Sequence, residues 1–200
     1  MTARTPELLR ADDTALLVID VQERFRVAIG AFDRMVGRIR VLALGAALVD
    51  VPVIVTEQYP QGLGRTVGEL DEALAHAERF EKREFSAAAA AGFDDVLRRL
   101  GRRQLVIAGI EAHVCVHQTA TELLARDFQV HLVADAVESR DPENRRAALD
   151  RLFAAGARVT TVEMALFELM RTAAHDRFRE LQALVKSLPA YEAEPALESV

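Results

Sequence analysis

One thiol, one aspartate and one lysine stand where this chain could most readily do chemistry. Cys115 is the only cysteine among the 200 residues, so an intrachain disulfide and every paired-cysteine metal or redox motif are excluded. It follows the apolar run LVIAGI and precedes the helical pattern HQTATELLARDF, which places it near a helix N-terminus. Unpaired N–H groups and the helix dipole favour a thiolate there, so a lowered thiol pKa is expected. The same N–H groups suit an oxyanion formed on an attacked carbonyl. A buried structural cysteine is the competing reading. Asp20 closes the run ALLVID. A carboxylate at a strand end can accept a thiol proton and return it to a leaving group, or it can simply cap the next turn. Lys82 lies in the charged stretch RFEKREFS, which reads equally well as a solvated edge strand.

Those three residues need elements to position them. Six short apolar runs recur: Ala15–Ile19, Val51–Thr56, a weaker Arg79–Glu84, Gln104–Ala108, Val130–Ala134 and Arg158–Val162. Four are rich in Val, Ile and Leu without alternation, as parallel strands buried on both faces require. Between them, Phe32, Met35, Val36, Ile39, Leu42, Ala43 and Ala46 follow helical spacing. Leu149, Leu152 and Phe153 do the same on a helix begun by Asp141 and Pro142 and closed by Gly156. Phe93, Val96, Leu97 and Leu100 form another, stopped by Gly101. Alternation of strands and helices with right-handed crossovers predicts an α/β fold: a three-layer, doubly wound, Rossmann-like six-stranded parallel sheet with helices on both faces. Ligands bind such sheets beyond the carboxyl ends of the strands. Asp20, Lys82 and Cys115 lie just past the first, third and fourth strands, so a carboxylate, an ammonium and a thiol converge at one edge.

The blocks ALLVIDVQERF, VTEQYPQGLG, FEKREFSA, LVIAGIEAHVCVHQTATELL, VHLVADAVESR and AAGARVTTVE stand in an order and spacing that resemble the isochorismatase-like cysteine hydrolases. That family includes nicotinamidases, N-carbamoylsarcosine-type amidohydrolases and the isochorismatase domain-containing proteins, and TEQYPQGLG is most similar to the last. The resemblance covers roughly residues 14 to 170. It implies a Cys–Asp–Lys triad at Cys115, Asp20 and Lys82, with a thioester-type intermediate on Cys115. Asp20 would shuttle the proton and the Lys82 ammonium would steady the thiolate. It also implies a cis peptide at Ile110–Glu111, which would aim the N–H of Glu111, with that of Cys115, into an oxyanion hole. Gln22, Phe25, Gln58 and Tyr59 become candidates to line a substrate pocket. The nicotinamidase branch carries a histidine-bearing metal motif after the second strand, whereas TEQYPQGLGRT holds no histidine. No metal and no cofactor are therefore expected.

Composition narrows the partners. The formal charge is −6 and the pI near 5.4, which argues against a nucleic-acid surface. No apolar run reaches the ~20 residues of a membrane span, and MTARTPELLRADD lacks the apolar centre of a signal peptide, so a cytoplasmic location is expected. The chain divides into an N-terminal extension at 1–13, a hydrolase domain at 14–188 and a polar tail at 189–200. His113 and His117 flank Cys115 but lack the further ligands of a zinc site. Gly62 and Gly64 do not make a dinucleotide fingerprint and read as a flexible loop or lid. The expected partner is a small-molecule substrate. The resemblance, apolar helix faces and the segment Leu166–Met170 point to a homo-oligomer. Two other functions stay open: vinyl-ether hydrolysis that does not depend on the cysteine, and a non-catalytic binding or scaffold role.

Overall fold

The computed structural model describes residues 8–189. The tail expected at 189–200 lies outside them except for Pro189, as do residues 1–7 of the N-terminal extension. The rest of that extension is tied down: Leu9 is fully buried and its N–H donates to Glu168 Oε2 at 2.9 Å.

Six strands form one parallel sheet in the order β3-β2-β1-β4-β5-β6. They are β1 (Thr14–Ile19), β2 (Val53–Gln58), β3 (Glu78–Lys82), β4 (Gln104–Ile110), β5 (Gln129–Glu138) and β6 (Arg158–Thr160). The helices are α1 (Phe32–Ala47), α2 (Pro60–Leu63), α3 (Phe93–Leu100), α4 (His117–Ala125), α5 (Pro142–Ala154), α6 (Val162–Met170) and α7 (Phe178–Lys186). The unalternated strands follow from two cores. Leu16 and Val18 enter the layer built with α1, α6 and α7, while Ala15, Leu17 and Ile19 enter the layer built with α3, α4 and α5. Each large aliphatic side chain so buried contributes roughly 1.5–3 kcal/mol. Every apolar position expected on α1 is buried. The expected helix ends are also present: Asp141 accepts from the N–H of Glu143, and Gly101 closes α3 with φ 62°.

Several boundaries differ from expectation, each for a physical reason. β5 runs through Asp135 instead of stopping at Ala134, because that carboxylate is met from neighbouring elements by Arg38 and by the N–H of Val162. The ladder between β4 and β5 shifts register between Ile107 and Gly109, which accommodates the longer strand. β6 is short, ending as Thr161 caps α6 by accepting from the N–H of Met164. Phe153 is exposed on the outer side of α5, not packed inward. Within the segment expected to mediate assembly, Leu166, Leu169 and Met170 are spent on the chain's own core, leaving Phe167 outside.

The strand order reverses between β1 and β4, so the crevice at the switch point opens beyond Ile19 and Gly109, which pair in register. Gly109 has φ 114°, and a Cβ there would meet the backbone oxygen of Ile19 at 2.1 Å. This close approach of two strands sets Asp20 and the segment after β4 side by side. Gly109→Ala is expected to destabilise the fold by about 3 kcal/mol or more, since it adds backbone strain to a clash with backbone. Chemical denaturation measures this, and a loss below ~1 kcal/mol, within the ordinary range for a point substitution, would contradict it.

Candidate active site

Three strand ends build the charged part of the site. Ile19 pairs with Thr56, and Gln58 pairs with Lys82, so Asp20, Gln58 and Lys82 leave the sheet at adjacent positions. Asp20 takes a left-handed conformation with φ 53°, which aspartate tolerates better than most residues. Its N–H donates to the carbonyl of Thr56 at 3.0 Å. Its Oδ1 accepts from Thr56 Oγ1 and its Oδ2 from Lys82 Nζ, each at 2.7 Å. Asp20 and Lys82 are only 1% and 3% exposed. Lys82 Nζ also donates to Gln58 Oε1 at 2.7 Å and reaches the carbonyls of Glu84 and Phe85, each at 3.2 Å. Four acceptors thus surround three protons, and the ammonium is fully solvated by protein.

Gln22 locks this arrangement from behind. Its Oε1 accepts from the N–H of Gln58 at 2.8 Å, and its Nε2 donates to the carbonyls of Gln58 and Gly64 at 3.0 and 2.6 Å. Glu57 accepts from the N–H and the hydroxyl of Thr66 at 2.8 and 2.7 Å. The segment 57–68, read from sequence as a loop or lid, is therefore pinned at both Gly64 and Thr66.

Cys115 sits in a π-helical turn, Ala112–Val116, that runs into α4. The peptide bond Ile110–Glu111 is cis. The Cys115 thiol is buried, and its pKa is not lowered as the helix start suggested: burial, and then the Asp20 carboxylate, push it up to about 12, against the opposing pull of the Lys82 ammonium. Desolvation outweighs the helix start here, and the resting group is a neutral thiol.

A cavity of about 260 Å³ opens over the thiol, lined by Asp20, Phe25, Gln58, Leu63, Phe85, Glu111, Val114, Cys115 and Arg140. Of the residues expected to line a pocket, Phe25 and Gln58 do so. Gln22 is fully buried and its amide is consumed by the strand ends. Tyr59 turns to a different surface cavity, where the Arg83 guanidinium lies 4.5 Å from its ring centre. Leu63, Phe85, Val114 and Arg140 were not anticipated. Arg140 lies two residues past the end of β5 at Glu138, and the strand-end rule would have nominated it had that strand not been read as ending at Ala134. Phe85 carries a weaker signal, an aromatic residue within a charged loop. Among the described residues no three His, Cys, Asp or Glu side chains are grouped to hold a metal ion. His113 instead places Nδ1 3.0 Å from Ser139 Oγ.

Similarity to known proteins agrees with this fold. The isochorismatase domain matches residues 14–164, a span that holds Asp20, Lys82 and Cys115. Isochorismatase domain-containing protein 1 of Salmo salar is 42% identical over 174 residues, covering 87% of this chain but only 61% of that relative. The chain thus spans about three fifths of that relative's length. The MAR1 ribonuclease of Caenorhabditis elegans superposes with a TM-score of 0.89 at 37% identity, over 96% of this chain and 100% of that one. YcaC from Pseudomonas aeruginosa, solved with hexane-2,5-diol and covalent acrylamide, gives 0.86 at 28% identity, over 92% and 93%. By sequence and by fold, the chain belongs to the isochorismatase domain family.

Proposed function

We propose that this protein is a cysteine hydrolase of small amide or carbamoyl compounds. The observation that carries the reading is the Asp20 carboxylate, fixed by Thr56 and Lys82 and lining the same small cavity as the neutral Cys115 thiol. Asp20 takes the thiol proton as sulfur attacks the carbonyl carbon, and the carbonyl oxygen becomes an oxyanion. The backbone N–H groups of Glu111 and Cys115 are the donors assigned to that oxygen. Asp20 then gives its proton to the leaving nitrogen, the C–N bond breaks, and a thioester remains. Water attacks the thioester with Asp20 again as base, which releases the acid and restores the thiol. Lys82 holds Asp20 in orientation, and its charge steadies the thiolate as it forms.

Size and charge support a small substrate. A cavity of about 260 Å³ suits a small molecule, and a chain of net charge −6 lacks the overall basicity that usually accompanies binding to an RNA backbone. The ribonuclease name of the nematode neighbour is therefore not carried over. Covalent acrylamide, itself a small amide, on the Pseudomonas neighbour supports a reactive nucleophile in this fold. A homo-oligomer, with Phe153, Met164 and Phe167 as exposed apolar contacts, completes the proposal.

Two expected outcomes test it. In thiol alkylation against pH, the wild-type midpoint should lie well above the ~8.5 of an ordinary thiol. The Asp20 anion disfavours the thiolate, so Asp20→Asn should lower the midpoint. The Lys82 cation favours it, so Lys82→Ala should raise it. A wild-type midpoint at or below ~8.5 would refute the neutral resting thiol. In turnover, Cys115→Ala should abolish hydrolysis and Asp20→Asn should cost roughly 10²–10⁴ in rate. The double variant Asp20→Asn/Lys82→Ala should lose far less than the product of the single losses, because the groups act as a unit. Near wild-type turnover by Cys115→Ala would favour cysteine-independent chemistry instead.

A further inference from the structure

The cavity holds a second charge pair that the hydrolytic steps do not use. Glu111 is 5% exposed, and its Oε1 meets Arg140 Nε at 2.6 Å. Arg140 is 62% exposed, so it stands at the rim while its partner lies inside. Glu111 Oε2 has no hydrogen-bond partner. His113 Nε2 lies 3.5 Å from that oxygen, and the same ring is engaged with Ser139 through Nδ1. A buried acceptor left unmet is costly and calls for an explanation in the molecule's function.

Both cations beside the thiol are thus already matched by carboxylates, Lys82 by Asp20 and Arg140 by Glu111. An entering carboxylate meets a buried anion in a low-dielectric cleft and must compete with it for Arg140. An uncharged amide of the same size pays no such repulsion. We propose that Glu111 is a specificity-determining residue: by occupying Arg140 it makes the cavity accept small uncharged amide and ureido compounds and reject carboxylates of equal size. This rests on the reading of Cys115 as the nucleophile.

Iodoacetamide and iodoacetate test the selection without any knowledge of the substrate. They are nearly isosteric, one an amide and one an anion. With either, the thiolate sulfur forms a bond to the methylene carbon as iodide leaves. The quantity to measure, on the full chain, is the rate ratio of the two reagents at Cys115, divided by the same ratio for a small free thiol. Wild type should favour iodoacetamide by about tenfold or more over that reference, the factor that about 1.4 kcal/mol supplies. Glu111→Gln keeps the shape, frees Arg140, and should move the ratio toward iodoacetate by at least about tenfold. Glu111→Gln/Arg140→Gln should return it to the free-thiol value. A wild type that favours iodoacetate over the reference, as an unoccupied Arg140 would dictate, overturns the proposal even if Glu111→Gln does not fold. So does a ratio that Glu111→Gln leaves unchanged. Failure of both reagents to label Cys115 even at a pH high enough to ionise the thiol is a different result: it defeats the nucleophile assignment itself, and this inference with it.

Discussion

The site depends on one buried ion pair. Asp20 and Lys82 come from strands separated by β2, and both are withdrawn from water. Removing each charge from solvent costs several kcal/mol, and their attraction offsets that only if every remaining lone pair and proton is met. Here they are met. Thr56 takes the second carboxylate oxygen, while Gln58 and two backbone carbonyls take the rest of the ammonium. The parallel register of β1, β2 and β3 brings these groups together, and Gln22 holds the strand ends against one another. Replacement of either charge alone would strand the other in the interior.

That arrangement decides how the thiol behaves. Burial and a nearby carboxylate both disfavour a thiolate, so Cys115 rests protonated. On the proposed reading the negative charge sits on Asp20 until substrate arrives, and the nucleophile is generated during attack. A neutral buried thiol is also protected from adventitious oxidation, which requires thiolate character and access. Glu111 and Arg140 form a second pair in the lining of the same cavity, which Phe25, Leu63, Phe85 and Val114 make partly apolar.

Much of this was legible in the sequence. The unalternated runs at β1 and β4 are what strands buried on both faces require, and their order placed Asp20 and Cys115 at one sheet edge. Lys82 was harder to read, because β3 is an edge strand whose alternate residues face solvent and whose charges look like surface. Its inward turn is fixed by tertiary pairing with β2, which local pattern does not record. The thiol pKa was misjudged for a related reason. Helix dipole and position can be read from a sequence, but desolvation depends on what packs overhead. Arg140 was hidden by the length of β5, and the engagement of Gln22 with backbone carbonyls could not be distinguished from an amide facing a pocket.

The central claim is that Cys115 forms the covalent bond while Asp20 moves the proton. Intact-protein mass spectrometry after rapid quenching, on a panel of small uncharged amides, measures this most directly. The account predicts a mass increase equal to the acyl group, mapped to Cys115, absent in Cys115→Ala, and diminished in Asp20→Asn. Hydrolysis of an amide with no acyl adduct on Cys115 at any quench time, or an adduct mapped to another residue, would contradict it.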